Sequence, residues 1–147
     1  MAVEQLARDL SVTFPRSPRE TLGGYVIAAR TLDKCRAVLA GTDGGYIFNC
    51  PLDRLFFAFT GIDADAFRDA VKRGATDEEM AAWIAQKAQP RERIAIIRWN
   101  NELRDKRISE LPDETQAYLE DYIPTILKPG KVVYTWFDVY DIEEGRL

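Results

Sequence analysis

With 147 residues and not one histidine, the chain has the length of one domain. It is excluded from Ser-His-Asp and Cys-His catalysis, from histidine acid–base work and from most zinc or non-haem iron sites. A net charge of −4 argues against a general affinity for nucleic acid or anionic membrane. The 46% apolar content is enough for a core that needs no staple. At the N-terminus, Val3, Leu6, Leu10, Val12 and Phe14 mark a short helix or an extended arm. Acidic residues among them, and the lack of an apolar core segment, do not fit a secretory signal.

The next segment, PRSPRE at 15–20, is kept out of helix by its two prolines and projects Arg16 and Arg19. From Leu22 to Gly41 the spacing predicts a helix. Tyr25, Ala28, Ala29, Leu32, Cys35 and Leu39 share one face, while Arg30, Asp33, Lys34 and Arg36 occupy the others. Residues 44–62, GGYIFNCPLDRLFFAFTGI, are the densest part of the chain and the expected centre of the core. Gly44–Gly45 makes a turn, and Tyr46–Phe48 is a short apolar run. A helix then opens at Pro51, capped by Asn49 or Cys50, and closes at Gly61; Leu52, Leu55, Phe56 and Phe59 face inward.

Asp63 caps a helix that ends at Gly74, and Thr76 with Glu79 forms a capping box for another. A helix over 91–107 carries Arg98, Glu102 and Lys106 as an i,i+4 ladder. One more opens at Asp113 and is bent or ended by Pro124. The tail, KVVYTWFDVYDI from Lys131, reads as a strand or as a loop with a helix capped by Thr135. The expectation is a mainly α, single compact bundle of about six or seven short helices, with a small β element near 46–49 and 131–137 left open. Its parts are an N-terminal arm over 1–21, a helical body over 22–128 and a tail over 129–147. No run of about 18 apolar residues crosses a bilayer, and the two cysteines, Cys35 and Cys50, suit a reduced cytoplasmic chain.

Two constellations could carry chemistry. Cys50 falls at the start of the Pro51 helix, where the helix dipole and Arg54 would favour a thiolate. The bland alternative is a small buried thiol beside Phe48 and Leu52. Arg16, Arg19, Arg30 and Lys34, with Arg36 in reserve, could converge on a phosphate or carboxylate. The bland alternative there is a set of salt bridges through Glu20 or Asp33. Asp63, Asp65, Asp77, Glu78 and Glu79 read as helix-start residues, and Asp138, Asp141, Glu143 and Glu144 as a solvated face. No phosphate loop, dinucleotide fingerprint, metal set or cofactor motif is present.

Three stretches taken together, PRSPRETLGGYV, RTLDKCRAVLAGTDGGYIFNCPLD and FTGIDADAFRDAVKRGATDEEMAAWI, resemble the bacterial domain-of-unknown-function 5069 family over most of the chain. The resemblance implies a small, soluble, stand-alone bacterial protein and carries over no activity, cofactor or catalytic residue. At the position of Cys35 the family often has alanine, which lowers the interest of that thiol. The functional expectation is a non-enzymatic binding or regulatory module that holds a small anionic ligand or a partner protein through Arg16, Arg19, Arg30 and Lys34. The alternatives are an enzyme or redox protein using Cys50, and an oligomerisation scaffold.

Overall fold

A computed structural model describes residues 2–147. It contains eight α-helices and a 3-10 turn, and the chain divides into two compact units, Met1–Ile96 and Ile97–Leu147, with the boundary inside a helix. The first unit holds α1 (Val3–Leu6), α2 (Ala28–Ala40), α3 (Pro51–Thr60), α4 (Ala64–Lys72), α5 (Asp77–Lys87) and the start of α6 (Arg93–Arg104). The second holds the rest of α6, the 3-10 turn Ile108–Glu110, α7 (Asp113–Ile126) and α8 (Trp136–Glu143).

The first unit is built around α2, which α1, α3 and α4 all contact. Every residue from Ala28 to Ala37 is buried, so the charged positions assigned above to outer faces, Arg30, Asp33, Lys34 and Arg36, lie inside. A helix buried all round is ordinarily apolar all round; this one needs internal partners for each charge. The helix also starts six residues later than Leu22. Gly23 and Gly24 take φ of +61° and +90°, Leu22 pairs with Tyr25 in an isolated bridge, and Ile27, at φ +73°, delays entry into the helix.

Where local punctuation is strong, the helices begin and end at it. Cys50 is the N-cap of α3 with Pro51 at its first position, and Gly61 closes it in the left-handed conformation. Asp63 Oδ2 accepts from the Ala66 N–H, and Thr76 and Glu79 exchange both bonds of their box. The inward face of α3 is rotated from expectation. Leu52, Asp53, Phe56, Phe57 and Thr60 are buried, whereas Leu55 is exposed. The ring of Phe67 sits among Phe48, Phe56, Phe57 and Trp83, with centroids 5.4–6.2 Å away.

No strand forms at 46–49, because Gly44, Gly45 and Asn49 all have positive φ and turn the chain instead. Gly44 also packs against the N-terminal arm. A Cβ there would enter the van der Waals envelope of Leu10 O and Ser11 N at a φ that L-residues avoid. Gly44→Ala should therefore cost at least about 2 kcal/mol in urea unfolding; an unchanged midpoint would show that the arm yields freely.

In the second unit, the tail resolves as a loop followed by a helix. Thr135 caps α8 through Asp138 N–H and supplies a single bridge to Arg107. α7 runs through Pro124 to Ile126, and Tyr122 Oη donates to Glu143 Oε1 at 2.6 Å, tying α7 to α8. Asp141 and Glu144, read above as solvated, are buried and share Arg146 Nη1 at 3.2 and 2.6 Å.

Candidate functional site

The polar interior of the first unit forms two clusters. In the first, Thr31 and Lys34, three apart on α2, meet the N-terminus of α3. Lys34 Nζ lies 3.0 Å from Asp53 Oδ2 and 3.1 Å from Cys50 Sγ, to which it donates. The side chains of Lys34 and Asp53 are 3% and 0% exposed, while Cys50 is half-buried. Asp53 Oδ1 accepts from Thr31 Oγ1 at 2.7 Å. Its Oδ2 accepts from the N–H of Asn49 at 2.9 Å and of Cys50 at 3.4 Å. A carboxylate removed from water is tolerable only when its lone pairs are filled in this way. Asn49 turns its N–H toward Asp53 by adopting φ +62°, a conformation asparagine reaches more readily than most residues.

The chemical content of this cluster is one thiol and one carboxylate, each in contact with the same ammonium. The cation beside the thiol is Lys34; Arg54, considered for that place, is an exposed residue of α3. Reactive cysteines typically sit partly exposed, beside a cation and at a helix N-terminus, and Cys50 meets all three conditions. Cys35 is neither partly exposed nor at a helix N-terminus. It is 1% exposed, and burial, partly countered by Arg68, pushes its thiol up to about 12.

The second cluster is a clamp. Arg16 reaches Asp33 with Nε at 3.0 Å, Nη2 at 2.9 Å and its backbone N–H at 2.8 Å, and reaches Asp77 with Nη1 at 2.8 Å. Arg36 donates to Asp77 Oδ1 at 2.8 Å and to Ala75 O at 2.9 Å. Burial works against charge on Arg16, but Asp33 and then Asp77 outweigh it, so the guanidinium is held more firmly than usual. At Asp77 burial raises the carboxyl, and the hydrogen bonds from Arg16 and Arg36 overcome it, leaving a net shift below the ordinary range. A cleft of about 390 Å³ opens beside these groups, lined by Arg8, Arg16 and Arg36 against Asp33, Asp77 and Glu78, with Leu6 and Thr76. Three positive and three negative side chains leave no surplus of charge for an anion.

The candidate basic residues are thus divided between neighbourhoods. Arg30 joins Arg16, donating to its carbonyl at 3.2 Å, and its guanidinium lies 5.6 Å from the Tyr46 ring. Arg19 is half-exposed, and its backbone N–H donates to Ser17 Oγ. Lys34 points to the other cluster, at Cys50. Asp53, an interior anchor, is absent from the candidates above, and Asp77, expected as a simple helix-start residue, joins two arginines. The only local signal for Asp53 is its place three residues into a helix whose N-cap is Cys50, where an acid can bond back to the cap N–H.

In the second unit, an apolar groove of about 350 Å³ runs between α7 and the segment before α8, lined by Ile108, Leu119, Ile123, Pro124, Leu127, Val132 and Val133 with Glu120 and Lys131. Among the described residues no cluster of three or more Cys, Asp or Glu is arranged to hold a metal ion, and no helix is long and apolar enough to cross a membrane.

The chain belongs to the family described as a domain of unknown function, DUF5069, whose model matches residues 12–146. No curated protein matches it.

Proposed function

We propose that this is a thiol-based redox protein whose working group is Cys50, acting as a nucleophile toward small oxidants of the hydroperoxide class. The observation that carries this reading is the 3.1 Å contact from Lys34 Nζ to Cys50 Sγ. A lysine buried to this degree gives up hydration, and Asp53 alone would satisfy its charge. Its placement against sulfur as well puts positive charge where a developing thiolate needs it. The ten-residue α3 follows Cys50 directly, so the positive end of its dipole adds to that field. Partial exposure of Cys50 gives a small oxidant a way in.

The expectation of an anion site built from Arg16, Arg19, Arg30 and Lys34 has less support. Arg16 is committed to two carboxylates, and Lys34 lies in a different cluster. We read the Arg16–Asp33–Asp77–Arg36 group as a clamp that fixes the PRSPRE segment and the α5 N-terminus onto α2.

Alkylation of the native protein, followed by mass mapping, tests the thiol reading. Cys50 should be modified in the folded state, at least about tenfold faster than in a peptide spanning residues 46–55. Cys35 should stay unmodified until the chain is unfolded. Cys50 that reacts only after unfolding, or no faster than the peptide, would end the proposal.

A further inference from the structure

We propose that Lys34 is the resolving partner of Cys50: peroxide oxidation of the thiol is followed by closure of a reversible bond between Sγ and Nζ, linking α3 to α2. The inference rests on the redox reading of Cys50 and adds the fate of the oxidised sulfur.

Single-thiol redox centres must dispose of a sulfenic acid before it oxidises further, ordinarily by meeting a second thiol or a nitrogen. The second thiol of this chain is poorly placed. Cys35 follows Lys34 directly on α2, and neighbouring helical residues do not share a face. With Lys34 turned to Cys50, Cys35 is turned elsewhere, among the apolar core. The nitrogen is already in place. Lys34 Nζ is at hydrogen-bonding distance from Sγ, and its side chain is 3% exposed, so it has no solvent position to relax into. Asp53 Oδ2, 3.0 Å from the same nitrogen, is positioned to take the proton the amine must lose.

The chemistry balances in two steps. The Cys50 thiolate attacks a hydroperoxide; an S–O bond forms, the O–O bond breaks, sulfur is oxidised by two electrons and the peroxide is reduced. The departing oxygen takes a proton and leaves as water or an alcohol. Lys34 then passes one proton to Asp53 and attacks Sγ; an N–S bond forms, the S–O bond breaks, and the hydroxyl leaves as water with a second proton from the nitrogen. An external thiol reverses the link by attacking Sγ; the N–S bond breaks, Lys34 takes one proton from the attacking thiol and one from Asp53, and a further thiol reduces the mixed disulfide. While closed, the link removes the Lys34 charge and leaves Asp53 protonated, so oxidation changes the interior electrostatics as well as the covalent structure.

The test is treatment of the full chain with hydrogen peroxide, followed by non-reducing intact-mass measurement and peptide mapping. The expected product is a monomer lighter by about 2 Da, the loss of two hydrogens on N–S closure. Its Lys34 and Cys50 peptides should be joined, and dithiothreitol should restore the original mass. The product should persist in Cys35→Ala and be absent from Lys34→Arg, which keeps the charge but offers no comparable nucleophile. That variant should instead accumulate Cys50 heavier by about 16 or 32 Da. Wild-type protein that shows only these heavier forms would overturn the role of Lys34 while leaving Cys50 a reactive thiol. A lighter product that disappears in Cys35→Ala would be a disulfide and would overturn it equally. Cys50 left unmodified would sink both this inference and the redox reading beneath it.

Discussion

Lys34→Met should destabilise the protein by about 3–5 kcal/mol, the cost of leaving a fully buried carboxylate without its cation. Asp53 is 0% exposed, and in the variant it keeps the Thr31 hydroxyl and the Asn49 and Cys50 N–H groups but no positive charge. Urea denaturation monitored by tryptophan fluorescence measures the loss. The companion experiment separates the worth of the pair from the cost of breaking it. Lys34→Met combined with Asp53→Leu removes both charges, and apolar replacement of a buried pair is often neutral or favourable. Asp53 also bonds the backbone at Asn49 and Cys50, however, so the double variant frees two N–H groups near the thiol. We expect it to recover part, not all, of the lost stability. A single-variant loss below about 1 kcal/mol would mean that water reaches Asp53.

Much of the helical layout was legible because its signals are local. The capping residues Asp63 and Thr76 with Glu79, the proline at 51 and the glycine at 61 each act within one turn of the helix they bound, whereas Thr135 left the tail open between strand and helix. The surroundings of α2 were legible only at the Arg16–Asp33 salt bridge, named above as the alternative to an anion site. The apolar stripe of α2 correctly predicts a helix, but a stripe only says which face is buried first. Burial of Arg30, Asp33, Lys34 and Arg36 depends on partners supplied from elsewhere in the chain: Asp53 from α3, Asp77 from α5 and Arg16 from the proline-rich segment. Such pairs leave no mark on hydrophobic periodicity. The candidate site shows the same division. Cys50 and Lys34 could each be singled out by residue type, yet nothing in the sequence joined them, because they lie sixteen positions apart in the chain. Their contact follows from how α3 packs on α2. The rotation that buries Asp53 and exposes Leu55 belongs to that packing as well, and it reverses the order simple hydrophobicity would give.

Arg16→Ala should cost about 2–4 kcal/mol, and the size of that loss decides between a clamp and a ligand site. Asp33, 4% exposed at its side chain, would lose a forked partner and keep the Arg16 backbone N–H. Arg8 could not replace the fork, since its side chain is 44% exposed and its Nε stands 3.8 Å from Asp33. Such an exposed, distant cation is screened by solvent and contributes little. Arg16→Lys should recover only part of the loss, because an ammonium cannot span Asp33 and Asp77 with a planar fork. Acid titration provides a second readout with a definite sign. The carboxyl of Asp77 lies below the ordinary range in the folded protein. Its contribution is therefore complete above the pKa of an unfolded carboxylate and disappears as pH falls through its own lower value. Without Arg16 the carboxyl moves back toward the ordinary range, held by Arg36 alone, and acid unfolding should begin at higher pH than in the wild type. A residue poised for an outside anion would behave in the opposite way. Its removal would relieve repulsion among cations, hold or raise stability, and leave the acid limb unchanged. Loss of about 2 kcal/mol or more together with the shifted acid limb would establish the clamp; stability retained within about 0.5 kcal/mol, the usual range for a surface substitution, would return Arg16 to the ligand-site reading.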